Sequence, residues 1–170
     1  MAVTRVATVL RAINLDLNTA SLAKQEHRAL ARSVIRHLKK AAEDIVADDR
    51  GNVSLAIWEL QMACEKTIKV YLSQQQIEYP ATHNLRQLQK LALDASDWSE
   101  AKTAMAAMPS EKRVMAWRYG KIPPPTPKEV ERMYSSALCL CGIYAKRLSR
   151  KLVLKNAAIQ ICRPPWHGEA

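Results

Sequence analysis

Apolar residues recur at steps of three and four through most of the chain, and strict alternation is rare. The clearest run is Val53, Ala56, Ile57, Leu60, Ala63, Cys64, Ile68, Tyr71 and Leu72, which predicts one buried face of a helix over 53–75. Trp58 and Met62 form a second apolar patch off that stripe, continued one turn on by Lys66 or Lys69. A helix apolar on two sides sits in the middle of a bundle or meets a partner. After a turn containing Pro80, Thr82 is expected as an N-cap, with His83 beside it at the helix start. Leu85, Leu88, Leu91 and Ala92 then repeat the spacing. Upstream, Leu22, Leu30, Val34, Leu38, Ala41, Ala42 and Ile45 predict a helix over 19–47, capped by Asn18 or Thr19. Residues 3–14 can form a short helix, with 14–18 as a connection. Breaks are expected at Asp48–Gly51, where Asn52 caps the next helix, and at Asp94–Asp97. Downstream come Trp98–Met108, a short helix from Ser110 to near Trp117, and an extended Pro123-Pro124-Pro125. Thr126-Pro127-Lys128-Glu129 then reads as a capping box with proline at the first helical position. Its helix carries Val130, Met133, Ala137, Cys141, Tyr144 and Leu148 and is expected to run to Lys155. The pattern predicts an all-α antiparallel bundle of four to five helices over 19–155. An N-terminal extension (1–18) precedes it and an irregular tail (156–170) follows.

Composition narrows this further. A chain of 170 residues with 4 glycines and no phenylalanine favours helix over sheet. No apolar run approaches the roughly 18 residues of a membrane span. Charges interrupt the first apolar run and no cleavage site is evident, so a cytoplasmic location is expected. Cys64, Cys139, Cys141 and Cys162 form no C-x-x-C pair, and Cys139 and Cys141 lie about 200° apart on a helix. They read as reduced, buried thiols.

The net charge of +10 suggests a polyanionic partner if the charge clusters. It does so twice. Arg28, Arg32, Arg36 and Lys40 follow one another at four-residue intervals. Like charges at that spacing repel by roughly a few tenths of a kcal/mol per pair, so helix stability does not explain the row. It is either a solvated face or a stripe that tracks phosphates. The second cluster is Lys146, Arg147, Arg150, Lys151 and Lys155, more cations than offsetting a helix dipole needs.

Recognisable catalytic and phosphate-binding loops are absent, and His27, His37, His83 and His167 lack metal-ligand spacing, so no metal or other cofactor is expected. Arg86, Gln87, Gln89 and Lys90 could belong to a DNA-reading helix. However, the link from Gln74 to Ala81 is too long for a helix-turn-helix.

The runs A-x-W-x-x-Q-x-A-C-E-K-x-x-K (56–69) and P-x-T-H-N-L-x-x-L (80–88), with Arg118-Tyr119 ahead of the last long helix, resemble the HEPN domain family (higher eukaryotes and prokaryotes nucleotide-binding). The resemblance covers about residues 20 to 150. It implies a helical bundle, often homodimeric, in the ribonuclease, toxin–antitoxin and nucleotide-binding group, with a nucleotidyltransferase or antitoxin as a further partner. By that resemblance Lys66, Lys69, His83, Arg118 and Tyr119 are candidates for nucleotide contact, with Tyr119 stacking on a base. The other reading has Tyr119 plugging the bundle's end and the lysines solvated. Ribonuclease members carry Arg, four to six residues, then His on the last long helix. Here that helix holds Arg132, Arg147 and Arg150 but no histidine. The expected function is therefore a non-catalytic module that binds nucleotide or RNA. Arg28, Arg32, Arg36, Lys40, Arg147, Arg150 and Lys151 would contact phosphate. One alternative is a metal-independent endoribonuclease using Arg32 with His37, or His83 with Arg118. Another is a protein-interaction adaptor with Trp58 and Met62 as its dimer or partner face.

Overall fold

The computed structural model describes residues 3–47, 50–93, 98–154 and 157–161. Among these residues the helices are α1 (Val3–Thr19), α2 (Gln25–Val46), α3 (Arg50–Gln74), α4 (Leu85–Leu93), α5 (Ser99–Ala107), α6 (Glu111–Arg118) and α7 (Pro127–Lys146). Strands β1 (Arg150–Leu154) and β2 (Ala157–Ile161) pair antiparallel, with Leu152 opposite Ile159. The fold is the expected all-α bundle. The helix count exceeds four or five because α4, α5 and α6 are separate short pieces.

Helix α3 is the axis. It packs on α2, α7, α4 and α6, so little of its second half meets water. Its apolar stripe closes the core with Val130, Met133, Ala137, Leu138, Cys141 and Tyr144 of α7. Some polar groups trapped by this packing find partners, whereas Gln61 Oε1 and the Tyr144 hydroxyl have none among the described residues. Thr67 Oγ1 donates to Ala63 O at 2.8 Å, bonding back within its own helix. Tyr71, Trp98 and Tyr144 meet edge to face at centroid separations of 5.2–5.5 Å. Burial pushes the Tyr144 hydroxyl's pKa well above its ordinary value. Cys64 and Cys141 are buried free thiols, but Cys139 is exposed.

Several boundaries differ from the sequence reading. Helix α1 runs through the expected connection to Thr19, burying Ile13 and Leu17. Asn18 and Thr19 cap nothing, because Asn18 donates to Asn14 Oδ1 and Thr19 Oγ1 donates to Leu15 O. Helix α2 therefore starts only after Lys24, without a side-chain cap. Helix α3 begins at Arg50, and Asp48, Asp49 and the break at Asp94–Asp97 lie outside the described residues. Helix α4 is capped by Asn84, whose Oδ1 accepts from the amides of Arg86 and Gln87. Thr82 instead accepts from Asn84 N. The Ser110 cap and the complete Thr126–Glu129 capping box stand as read.

The largest correction concerns residues 147–161. The last helix stops at Lys146, and Arg150 begins a strand, not a continued helix. Leu152–Leu154 is apolar and Ala157–Ile161 largely so, but the Lys155-Asn156 between them is not a two-residue hairpin signature, and the neighbouring basic residues read as a helix end. Gln74 anchors this segment. Its Oε1 accepts from Ser149 N at 2.7 Å, and its Nε2 donates to Ser149 O at 2.9 Å and Ser21 O at 3.1 Å. Ser21 N donates to Ser149 O at 2.8 Å, and Arg150 reaches Asp16 Oδ1 at 2.6 Å. The strand is thereby fixed against the α1–α2 connection. Lys155, Cys162 and the Arg163-Pro164-Pro165-Trp166 segment lie outside the described residues.

Candidate functional site

Three arrangements of polar side chains surround α3. The first is basic. Arg28, Arg32, Arg36 and Lys40 are all exposed along α2. Anchoring of β1 by Gln74 and Asp16 carries Lys151 into a cleft of about 500 Å³ beside Arg28 and Arg32. Arg32 also lines a neighbouring cleft of about 630 Å³ with Arg36, His37, Lys39 and Lys40, whose four Arg and Lys cations outnumber its two carboxylates, Glu43 and Glu59. Arg32 thus joins the two clefts into one band, and a strand residue from the second sequence cluster belongs to it. Lys40 pairs with Asp44 at 2.6 Å. Arg28 Nε donates to Leu22 O at 2.9 Å. Among the described residues Arg28, Arg32, Arg36 and Lys39 make no ion pair. Two expected phosphate contacts are elsewhere engaged: Arg147 lies over Trp98 at 4.3 Å, and Arg150 is held by Asp16. Sequence reasoning overlooked Lys39, which is off the four-residue row but faces the same cleft.

The second arrangement is a relay across the α2–α3 seam. His37 Nδ1 pairs with the Glu59 carboxylate, and Lys66 Nζ lies 2.6 Å from His37 Nε2. A carboxylate and an ammonium on opposite ring nitrogens fix the proton on Nδ1, with Nε2 as acceptor. Burial, and then the nearby Arg36 charge, lower the Lys66 pKa. Lys66 is therefore partly buried and engaged by His37. His37 shares a cleft with Arg32, but both of its nitrogens are occupied, so no free base is available there.

The third arrangement lies where α3, α4 and α6 meet. Glu65 is buried, and its carboxylate binds Lys69 Nζ at 2.7 Å and His83 Nδ1 at 2.8 Å. Gln61 Nε2 donates to His83 O at 2.8 Å. The Glu65, Lys69 and His83 positions of the sequence motifs are thus one assembly, which ties the segment before α4 to the middle helix. Lys69 is only 14% exposed, whereas the His83 side chain is 55% exposed. His83 was expected to stabilise the start of α4, but it stands ahead of that helix and bonds α3 instead. With Nδ1 donating to Glu65, its Nε2 is the remaining nitrogen, without a partner among the described residues.

Trp58 lies against the His83 ring at 6.0 Å, and the Arg118 guanidinium sits over the indole at 4.2 Å. Arg118 is held there by the end of α6. Gly120, at φ +63°, allows Gly120 N to bond Trp117 O and Lys121 N to bond Ala116 O, a Schellman turn. Tyr119 is 63% exposed and does not plug the bundle. Met62 is 8% exposed and belongs to the interior, so of the two residues expected at a partner face only Trp58 remains available.

Among the described residues no cluster of three metal-ligating side chains occurs, and no helix is long and apolar enough to cross a membrane. A family model described as the HEPN domain matches residues 24–148. No curated protein and no solved structure matches the chain.

Proposed function

The chain belongs to the HEPN domain family, and from that premise we propose that it is a non-catalytic module that binds RNA through the α2 face. One observation carries the reading. The band of Arg28, Arg32, Arg36, Lys39 and Lys151 runs through two adjoining clefts, and its α2 members make no ion pair among the described residues. Successive helical turns advance about 5.4 Å, a spacing at which cations can follow consecutive phosphates of a single strand. The Trp58–Arg118 stack and the exposed Tyr119 offer flat surfaces for unstacked bases beyond the band. A homodimer, and association with a nucleotidyltransferase or an antitoxin, are the finer expectations of the same reading.

A second reading rests on the His83 geometry. An exposed imidazole oriented by a buried carboxylate, near Lys69 and Arg118, has the parts of a metal-independent endoribonuclease. His83 Nε2 would take the 2′-hydroxyl proton, and the cations would stabilise the charged phosphate. One experiment separates the two. Labelled single-stranded RNA is incubated with the protein in EDTA and run on native and denaturing gels. A salt-sensitive shift without cleavage supports the binding module. Cleavage lost in His83→Ala supports the enzyme. Neither shift nor cleavage sinks both.

A further inference from the structure

A different cavity, at the junction of α4, α6 and α7, has no place in the readings above. It measures about 320 Å³ and is lined by Arg86, Arg113, Arg132, Glu129, Trp117 and Met133 among others. Each arginine comes from a different helix, so no single helix's local stability explains their convergence. Arg86 is aimed by the carbonyls that end α5, with Nη2 donating to Met108 O at 3.0 Å. The Arg113 guanidinium lies over the Trp117 ring at 4.6 Å, and that ring is itself fixed by Nε1 donating to Pro123 O at 2.9 Å.

The only acid lining this cavity among the described residues is largely committed. Glu129 Oε2 accepts from Thr126 N at 2.8 Å and Thr126 Oγ1 at 2.9 Å, completing the helix cap. Its other oxygen lies 3.7 Å from Arg113, a loose ion pair. Arg132 makes no ion pair among the described residues. Three guanidiniums against one carboxylate leave two positive charges over a floor of buried Met108 and Met133.

We propose that this cavity binds a phosphomonoester. A phosphomonoester carries about −1.5 to −2 charge at neutral pH and three acceptor oxygens, matching the excess charge. Arg86 is partly committed to the Met108 and Pro109 carbonyls, so Arg132 and Arg113 supply most of the donors. The source is either a free nucleotide or the phosphorylated end of an RNA chain. The site stands apart from the α2 band and from the His83 assembly, and its existence does not depend on either.

The test is calorimetric titration of the full chain with adenosine 5′-monophosphate and with adenosine. It is repeated for Arg132→Gln, which breaks no ion pair or hydrogen bond among the described residues, and for Arg113→Gln, with melting temperatures as the folding control. The expected result is binding of the monophosphate but not of adenosine, weakened about tenfold or more in Arg132→Gln at an unchanged melting temperature. A 5′-phosphorylated oligoribonucleotide that outcompetes its 5′-hydroxyl counterpart identifies the RNA end as the source. Equal competition by the two identifies the free nucleotide. Equal affinity for monophosphate and adenosine, or failure of either to bind, overturns the proposal. Unaltered monophosphate binding in folded Arg132→Gln also overturns it, and concurrent loss in Trp58→Ala would assign the ligand to the His83 assembly.

Discussion

Replacing Arg28, Arg32 and Arg36 together with Gln is the sharpest test of the basic band. All three side chains are exposed, and none makes an ion pair among the described residues, so the change removes charge with little rearrangement. The structural cost is one bond, Arg28 Nε to Leu22 O, about 1 kcal/mol or less. Relief of repulsion between cations four residues apart returns roughly a few tenths of a kcal/mol per pair. The two nearly cancel, so the melting temperature should move by no more than about 4 °C. Binding behaves differently. Each phosphate contact on a single strand contributes about 0.7 to the slope of log affinity against log salt, so three contacts contribute about two. Between about 50 and 200 mM salt the native protein should lose about twentyfold more affinity than the variant. Fluorescence anisotropy with a labelled single-stranded RNA, read at several salt concentrations, measures this directly. An unchanged slope in a folded variant would falsify the assignment and leave the row as a solvated face. Reduced affinity at the same slope refutes it equally, because shape would then have changed and not the number of phosphate contacts.

Other perturbations probe the supports of the sites. Glu65→Leu leaves the largely buried Lys69 without its carboxylate and frees His83. It should cost about 3–5 kcal/mol, seen as a fall of at least about 6 °C by calorimetry, and no fall would show that the buried pair is dispensable. Thr126→Ala removes the α7 cap and should cost about 1 kcal/mol, with a normal melting temperature counting against the cap. Hydrogen bonds from the Thr126 amide and hydroxyl lower the Glu129 pKa below its ordinary value near 4.5. The native-minus-Glu129→Gln difference in melting temperature should therefore be full above that value and shrink as pH falls through the lowered folded value. A difference independent of pH would show that the carboxylate's charge plays no part. Asp16→Asn weakens the tether to Arg150, so amide exchange should quicken in β1 while α3 stays protected. Uniform exchange across both elements would contradict a local tether.

The chain's own periodicity determined the helices whose buried faces are wide and whose ends carry local chemistry. The stripes of α2, α3 and α7 needed only three- and four-residue spacing, and the Thr126–Glu129 cap is complete within four residues. Sequence also placed Glu65 one turn from Lys69, and Arg28, Arg32 and Arg36 on one side of α2. The hairpin was less legible. Lys151 reads as a helix-terminal cation until Gln74, on another helix, is seen to hold the adjacent backbone.

Tertiary structure alone decided which residues meet. His83 reaches Glu65 across 18 positions, His37 reaches Glu59 across 22 and Lys66 across 29, and Arg150 reaches Asp16 across 134. No local pattern encodes such pairings. A buried carboxylate requires a donor, but which donor arrives depends on how the helices pack. The same packing took Met62 out of solvent, turned Lys66 onto His37, withdrew Arg147 and Arg150 from the basic cluster, and brought Arg86, Arg113 and Arg132 to one cavity. Sequence set the faces each helix could present, and packing around α3 set which of those faces enclose a site.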